Sequence, residues 1–168
     1  MPPMAKKGKP DPKRDPNNAI IASNRRASHD FALTDTWECG IVLVGSEVKA
    51  LRESNVRINE AYARVKNNEL WLYNLHVAPY SHSGTAFAHD PDRPKKLLVK
   101  RREINQIRVA TDNDGMTLVP IKLYFKNGRA KIEIGSGRRK KTEDKRRDLA
   151  ARDADMEARK AMSAQRRR

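Results

Sequence analysis

The chain has 168 residues, of which 36 are Lys or Arg and 21 are Asp or Glu, giving a formal net charge of +15. That length suits one compact domain with tails, and the charge makes a polyanion such as nucleic acid the expected partner. We expect neither a signal peptide nor a membrane span, because no apolar run of about 18 residues occurs. The single cysteine, Cys39, excludes an internal disulfide and is typical of a cytoplasmic protein.

The positive charge is concentrated at the two ends of the chain. Residues 1–18 carry a surplus of three cations, residues 138–168 a surplus of seven, and the residues between them a surplus of five. This distribution predicts a disordered basic arm over residues 1–18, a folded domain over residues 19–137 and a basic tail over residues 138–168.

The first predicted elements are strands and one short helix. Residues 31–33 and 37–44 are rich in β-branched and aromatic side chains and predict strands. Ser46 is the expected cap of a helix of about two turns that ends near residues 54–55.

Two hairpins and a second helix are expected next. The hairpins join residues 61–65 to 70–77, and residues 116–125 to 130–134. Asn127-Gly128 is the strongest hairpin signal, and Pro120 predicts an edge or a bulge in its strand. Between the hairpins, Asp92-Arg93-Pro94 predicts a helix start, with Leu97 on its buried face. The cations of that helix are then left for solvent or a partner: Lys95, Lys96, Lys100, Arg101 and Arg102.

The pattern of short strands with two short helices predicts a mainly β fold, a small closed or partly open β-barrel. Beyond it, residues 142–162 lack Gly and Pro and are rich in helix-forming residues. Opposite charges recur four residues apart there, as in Asp155 and Arg159, but apolar anchors are few. We therefore expect a tail that is helical only when bound, with a permanently folded surface helix as the alternative.

Three stretches, taken in order, carry a resemblance to a known family. They are residues 24–31 (NRRASHDF), 38–52 (ECGIVLVGSEVKALR) and 96–104 (KLLVKRREI), reinforced by residues 144–147 (DKRR). Together they resemble the SsrA-binding protein family of bacterial trans-translation, from about residue 20 almost to the end.

The resemblance implies an oligonucleotide-binding-type β-barrel with flanking short helices and a basic tail that is disordered when free. It implies an adaptor without enzymatic activity or cofactor that binds the tRNA-like domain of transfer-messenger RNA. The expected partners are that RNA, the stalled ribosome, and elongation factor Tu with GTP. The tail is expected to become helical in the empty messenger channel near the decoding centre, and the free protein to be a monomer.

The resemblance also implies two sets of site residues. RNA-binding positions are Asn24, Arg25, Arg26, His29, Glu38, Lys96, Leu98, Lys100, Lys131, Arg138 and Lys140. Decoding-centre positions in the tail are Asp144, Lys145, Arg146, Arg147, Met156 and Met162. Two positions depart from the family pattern: Lys100 stands where a neutral polar residue is usual, and Glu143 where an aromatic residue or His is usual.

Other interpretations remain open at this point. Without the resemblance, Arg25 and Arg26 are residues of a solvated loop, Glu38 belongs to an ion pair, and Leu98 packs in a helix. His82, His89 and Asp90 admit a metal-dependent nuclease, but their spacing fits no common ligand pattern and no metal is expected. A ribosomal protein or a general basic RNA-binding protein is the remaining functional alternative.

Overall fold

The computed structural model describes residues 16–82, 84, 88–112 and 115–166. Most of the predicted N-terminal arm, residues 1–15, lies outside these ranges. The strands are β1 Ile20–Ser23, β2 Phe31–Ile41, β3 Val56–Arg57, β4 Tyr62–Lys66, β5 Glu69–Tyr73, β6 His76–Val77, β7 Lys95–Leu98, β8 Met116–Lys126 and β9 Arg129–Arg139. The α-helices are α1 Arg25–Asp30, α2 Gly45–Arg52, α3 Arg101–Thr111 and α4 Thr142–Arg166.

The fold is mainly β, with helices flanking an antiparallel sheet. Seven strands follow the order β1-β8-β4-β5-β7-β2-β9, and β8 pairs with β9 as well. The short strands β3 and β6 form a separate pair. The expectation of a mainly β protein with flanking helices is confirmed.

Both predicted hairpins are present, and their turns explain why. Asn67 and Asn68 have φ angles of 53° and 58°, and Asn127 and Gly128 have φ angles of 51° and 76°. Two successive residues with positive φ define the type I′ turn, whose twist matches that of the flanking strands. The hairpin prediction made from Asn127-Gly128 is therefore confirmed.

The core lies between the inner faces of the sheet strands and helices α2 and α3, which contribute Leu51 and Ile107. Leu123, Phe125, Ile132 and Ile134, which the alternation on β8 and β9 predicts to face inward, are at most 3% exposed. Pro120 lies where the register of β8 against β9 shifts, so the predicted bulge is confirmed. The bulge is internal to the sheet, because β8 also pairs with β1 and β4.

The prediction of a helix beginning at residues 92–94 is wrong. Lys95–Leu98 is strand β7, paired with β2 and β5, and the helix begins at Arg101. Leu97 lies opposite Leu70 and is 2% exposed, so cross-strand packing decided the conformation rather than local spacing. Glu103 accepts a hydrogen bond from the backbone N–H of Lys100 at 3.0 Å, which marks the true helix start.

The expected cap of α2 is also corrected. Val44, not Ser46, occupies the cap position, and its backbone N–H donates to Glu47 Oε2 at 3.0 Å. The Ser46 hydroxyl instead lies 2.9 Å from His89 Nδ1, so it serves the loop before β7.

Residues just outside each end of the predicted domain, 19–137, are hydrogen-bonded to the sheet. Residues Pro16–Asn18 form a 3-10 turn, and the Asn17 carbonyl accepts a hydrogen bond from Gly128 N at 3.1 Å. At the other end, β9 pairs with β2 as far as Arg139. Hydrogen bonding to the sheet therefore continues a few residues past each end of the 19–137 segment.

Gly137 lies where β9 approaches β2 most closely. A Cβ atom at this position would stand 2.5 Å from the carbonyl oxygen of Ala32, which is backbone and cannot rotate away. We expect Gly137→Ala to lower the free energy of unfolding by about 1–3 kcal/mol, measured by urea denaturation. Gly45→Ala is the matched control, because nothing lies within 4 Å of a Cβ there. Equal stability of the two variants would contradict the close approach of β2 and β9.

Candidate nucleic-acid interface

The expected RNA-binding residues lie in two regions of the surface. The first comprises α1, the end of β9 and the start of α4. The second is the outer face of β7, β2, β9 and β8. Each region combines cations with other exposed side chains.

Asn24, at the start of the first region, is buried rather than exposed. It is 6% exposed, its side-chain amide donates to the Pro120 carbonyl at 3.1 Å, and its backbone N–H donates to Ile121 O. Its side-chain oxygen is buried and has no hydrogen-bond partner. Asn24 therefore holds α1 against the bulge of β8, and its contact with RNA stays a prediction.

The remaining residues of α1 face solvent. Arg25 and Arg26 are exposed, and Ala27 packs beneath them at 2% exposure. His29 is partly exposed, with Nδ1 2.9 Å from Asp30 Oδ1. Hydrogen bonds from His29 and Lys145 hold the pKa of Asp30 below its usual value. Arg25 and Arg26 are thus exposed cations on a helix whose orientation is set by buried contacts.

The start of the tail is attached to this helix by its own lysines. Lys140 N donates to Asp30 O at 2.8 Å, and Lys140 Nζ donates to Ser28 O at 3.0 Å and pairs with Asp148. Lys145 Nζ lies 3.1 Å from Asp30 Oδ1. Lys140 and Lys145, both expected at RNA interfaces, are therefore engaged within the protein, whereas Arg138 is exposed.

The second region is a continuous outer face formed by cross-strand neighbours. Gly40 lies opposite Leu98 on one side and Lys131 on the other, and Lys131 lies opposite Tyr124. Glu38 lies two residues from Gly40 on the same strand, so its side chain shares this face. The strand pairing thus brings together Glu38, Leu98 and Lys131, which are far apart in the sequence.

Glu38 is held in its charged form by its neighbours. Its carboxylate accepts hydrogen bonds from the Tyr124 hydroxyl and from Lys126 Nζ, the latter at 3.2 Å. These bonds lower its pKa, and the charge of Lys131 acts in the same direction. Burial and the bond to Glu38 together raise the pKa of Tyr124. The carboxylate of Glu38 is therefore an oriented hydrogen-bond acceptor rather than an isolated negative charge. The alternative interpretation of Glu38 as a member of an ion pair also holds, because it pairs with Lys126.

Leu98 is 54% exposed, so the interpretation that it packs within a helix is wrong. It lies over Gly40, whose missing side chain leaves room for it: a Cβ at Gly40 would be 3.2 Å from Leu98 Cβ. An apolar side chain held on a polar face is available for contact with a base or sugar. Nearby, Lys96 Nζ pairs with Glu69 Oε1 at 2.7 Å, and Lys100 is exposed at the start of α3.

Lys95 is the exception among the cations expected to face outward. It is 0% exposed, and its Nζ donates to Arg93 O at 2.9 Å and to Leu75 O at 3.2 Å. Glu47, also 0% exposed, lies 4.0 Å away and is bridged to Arg93. Lys95 is therefore part of a buried charge cluster and not of any surface.

The tail helix is exposed along almost its whole length. Asp144, Arg146 and Arg147 are exposed, as are Met156 and Met162, at 56% and 67%. Of the charge pairs expected along it, Arg159–Asp155 is present at 2.9 Å, whereas Asp148 pairs with Lys140 instead. The helix extends to Arg166, somewhat beyond the predicted stretch.

The histidines of the nuclease alternative serve local hydrogen bonds. His89 lies 2.9 Å from both the Ser46 hydroxyl and the Val77 carbonyl oxygen, and His82 Nδ1 lies 2.9 Å from the Ser81 hydroxyl. Within the described ranges, no group of three or more His, Cys, Asp or Glu side chains is placed to hold a metal ion. Nor is any helix of those ranges long and apolar enough to cross a bilayer.

Sequence reasoning missed the partners of Glu38 and the aromatic residues on the outer surface. Tyr124 and Lys126 alternate with the inward-facing Leu123 and Phe125, so the period of β8 placed them outside. The same alternation on β4 and β5 puts Tyr62, Trp71 and Tyr73 outside. The alternation of buried Leu70 and Leu72 with Trp71 and Tyr73 is the signal in the sequence that indicates this.

The comparisons with known proteins decide the family. The family model described as SmpB protein matches residues 21–164. The chain belongs to the SmpB family. An SsrA-binding protein of Chloroflexus aurantiacus is 52% identical over 80% of this chain and 84% of its own length. One from Thermobifida fusca is 46% identical over 97% of this chain and 100% of its own length.

A solved structure supports the SmpB fold independently. A chain from the structure described as "tmRNA-SmpB: a journey to the center of the bacterial ribosome" is 40% identical and superposes with a TM-score of 0.61. The alignment covers 75% of this chain and 86% of that one. The resemblance found in residues 24–31, 38–52 and 96–104 is therefore confirmed.

Proposed function

We propose that this chain binds transfer-messenger RNA and acts with it in trans-translation on the ribosome. The observation that carries the proposal is the SmpB family match over residues 21–164. The SsrA-binding relatives and the tmRNA–SmpB neighbour name the same RNA and the ribosome. The net charge of +15 and the exposed cations of α1 and β9 supply the electrostatic attraction that RNA binding requires.

The proposal assigns the tRNA-like domain of that RNA to the folded body. The strand pairings β8-β4-β5-β7-β2-β9 and back to β8 form a ring, which supports an oligonucleotide-binding-type barrel. Arg25, Arg26, Lys131 and Arg138 contact phosphates, while Glu38 and Leu98 meet a sugar or a base edge. Asn24 contributes to the proposed interface by positioning α1.

The tail has a separate role in this proposal. It occupies the empty messenger channel near the decoding centre, where Arg146, Arg147, Met156 and Met162 meet ribosomal RNA. Full exposure of α4 beyond its first turns supports the idea that a partner, and not the body, stabilises it. The protein is proposed to be a cytoplasmic monomer without enzymatic activity that reaches the ribosome with elongation factor Tu and GTP.

RNA selectivity separates this function from that of a general basic RNA-binding protein. Transfer-messenger RNA should displace labelled RNA from the protein at a concentration at which an unrelated duplex does not, both at one salt concentration. Equal competition by the two RNAs would favour the general RNA-binding protein and overturn the adaptor.

The cations of the body should account for affinity. We expect the triple variant Arg25→Ala, Arg26→Ala, Lys131→Ala to bind the tRNA-like domain at least tenfold more weakly. The slope of log K against log salt should fall by about 2–3, since each lost phosphate contact removes about 0.7–0.9. The matched control Arg152→Ala, Lys160→Ala, Arg166→Ala removes the same charge from the exposed tail helix. If both variants lose affinity equally, net charge and not the proposed surface governs binding.

A further inference from the structure

The outer face of β4 and β5 carries aromatic side chains where a solvent-facing sheet normally carries polar ones. Leu70 and Leu72 are 0% exposed, so the alternate residues of β5, Trp71 and Tyr73, point outward. Tyr62 lies opposite Tyr73 on β4, and the two rings stack with centroids 5.4 Å apart. All three aromatic side chains are partly exposed.

These rings do not serve the hydrophobic core. Among the described residues, the partly buried side chains that pack against the core include Trp37 and Tyr80 but neither Trp71 nor the Tyr62–Tyr73 pair. The chain has only nine Phe, Trp and Tyr residues in all, so three of them on one outer face is a marked concentration. Aromatic rings outside the core are typical of surfaces that bind a partner.

Cations flank the aromatic rings on both sides. Trp71 lies directly opposite Arg64 on β4 and Lys96 on β7, so the three side chains form one row across the sheet. Ala63 and Leu97, their inward-facing neighbours, are 6% and 2% exposed, which confirms that Arg64 and Lys96 point outward. We call Tyr62, Arg64, Trp71, Tyr73 and Lys96 the aromatic strip.

One carboxylate lies at the end of this row of side chains. Glu69 accepts a hydrogen bond from Lys96 Nζ at 2.7 Å. Glu69 is paired with Lys96, so the row keeps the net positive charge of Arg64.

The strip connects the two regions already described. Tyr62 and Arg26 line the same cavity beside α1, and Lys96 lines another with Leu98. A polyanion that binds the cations of α1 and reaches Leu98 therefore has a route across this face.

We propose that the aromatic strip is an additional RNA-binding site, at which an unpaired base stacks on Trp71 while Arg64 and Lys96 contact the adjoining phosphates. Rings flanked by cations are the arrangement by which proteins bind unstacked bases without reading a duplex. This inference rests on the proposed RNA-binding function and names one of its subsites.

Fluorescence can test the site directly, because the chain has only two tryptophans, Trp37 and Trp71. The variant Trp37→Phe leaves Trp71 as the sole emitter, and Trp71→Phe leaves Trp37, which packs on the core. The tRNA-like domain of transfer-messenger RNA should quench Trp71 strongly and Trp37 little. A fully paired RNA duplex of equal length should quench neither.

Affinity should separate stacking from charge. We expect Trp71→Leu to weaken binding of the same RNA about tenfold with no change in the salt slope, since no phosphate contact is lost. Trp71→Phe, which keeps a ring, should stay within about threefold of the wild type. Arg64→Gln should lower the salt slope by about 0.7–0.9. Equal urea midpoints for the two Trp71 variants exclude a folding defect as the cause.

Three results would overturn the proposal, and only the third of them also overturns the proposed function. Trp71 emission that stays constant while RNA binds with normal affinity excludes the strip but leaves RNA binding intact. Quenching by purified ribosomal proteins and not by RNA assigns the strip to a protein partner. Failure of the unmodified protein to bind the RNA at all overturns the proposed function and this site together.

Discussion

A chain that ends at Lys141 is expected to bind the tRNA-like domain with nearly wild-type affinity and to support no tagging of stalled chains. The cut removes α4, whose side chains beyond Asp148 are exposed, and leaves β9 intact through Arg139. A cut after Gly137, the boundary expected from composition, would instead remove paired residues of β9. Affinity by filter binding and tagging in a reconstituted translation system measure the two activities.

The matched variant for this experiment keeps the tail but prevents its helix. Ala154→Pro lies in the middle of α4, where proline costs about 3 kcal/mol relative to alanine, and it changes neither length nor charge. We expect it to abolish tagging like the truncation, whereas Ala154→Ser retains most of it. Wild-type tagging by the proline variant would show that the tail does not act as a helix. Loss of RNA affinity in the truncated chain would show that RNA binding by the folded body depends on the tail.

Replacement of the buried Glu47 is expected to have the largest effect on stability. Its carboxylate bridges Arg93, with Oε2 2.9 Å from the guanidinium, and lies 4.0 Å from Lys95 Nζ. Glu47→Gln leaves the ammonium group of Lys95 buried without a counter-charge, so we expect the free energy of unfolding at pH 7 to fall by about 3–5 kcal/mol. Glu60→Gln, on an exposed turn, is the control and should stay within about 0.5 kcal/mol.

Two further measurements identify charge as the cause. Adding Lys95→Met to Glu47→Gln should restore part of the loss, because the uncompensated ammonium group is removed. Burial raises the pKa of Glu47, but hydrogen bonds from Arg93 and Val44 outweigh it, so the pKa lies below its usual value of 4.5. The contribution of Glu47 is therefore complete above about pH 4.5 and is lost as the pH falls through the depressed pKa. The difference in the free energy of unfolding between the wild type and Glu47→Gln should therefore shrink as the pH falls. A difference that stays constant on acidification would contradict this account.

Loss of this cluster has a structural consequence for the RNA-binding surface. Arg93 and Lys95 connect α2 to the start of β7, the strand that carries Lys96 and Leu98 outward. The positions of Lys96 and Leu98 on the outer face thus depend on the buried charges of Glu47 and Lys95. The variant Glu47→Gln should accordingly weaken RNA binding even though Glu47 itself touches no surface.

Much of the fold follows from short-range signals. Asn127-Gly128 requires a tight hairpin because both residues accept positive φ, and the alternation of Leu123 and Phe125 orients β8. The composition of residues 142–162 likewise favours the helical conformation of α4. That the tail is helical only when bound stays a prediction. The quoted motifs identified the family, since their order and spacing are specific even though each stretch alone is not.

Residues whose partners lie far away in the chain were assigned less well. Lys95–Leu98 has no local feature that distinguishes a strand from the first turn of a helix, and pairing with β2 and β5 decided it. That pairing also turned Lys95 inward, toward a carboxylate nearly fifty residues earlier in the chain. Asn24 was expected on the surface for a similar reason, because its partner, the Pro120 carbonyl, is 96 residues away.

The amino-acid sequence by itself thus determined the hairpins, the inward-facing pattern, the helix-forming composition of the tail and the family, because turn geometry, side-chain alternation and helix propensity act between near neighbours. Only the tertiary structure decided which cations face solvent and which aromatic rings lie beside them. A charged or aromatic side chain is placed by the strand that pairs with its own, and pairing between distant segments is a property of the assembled sheet.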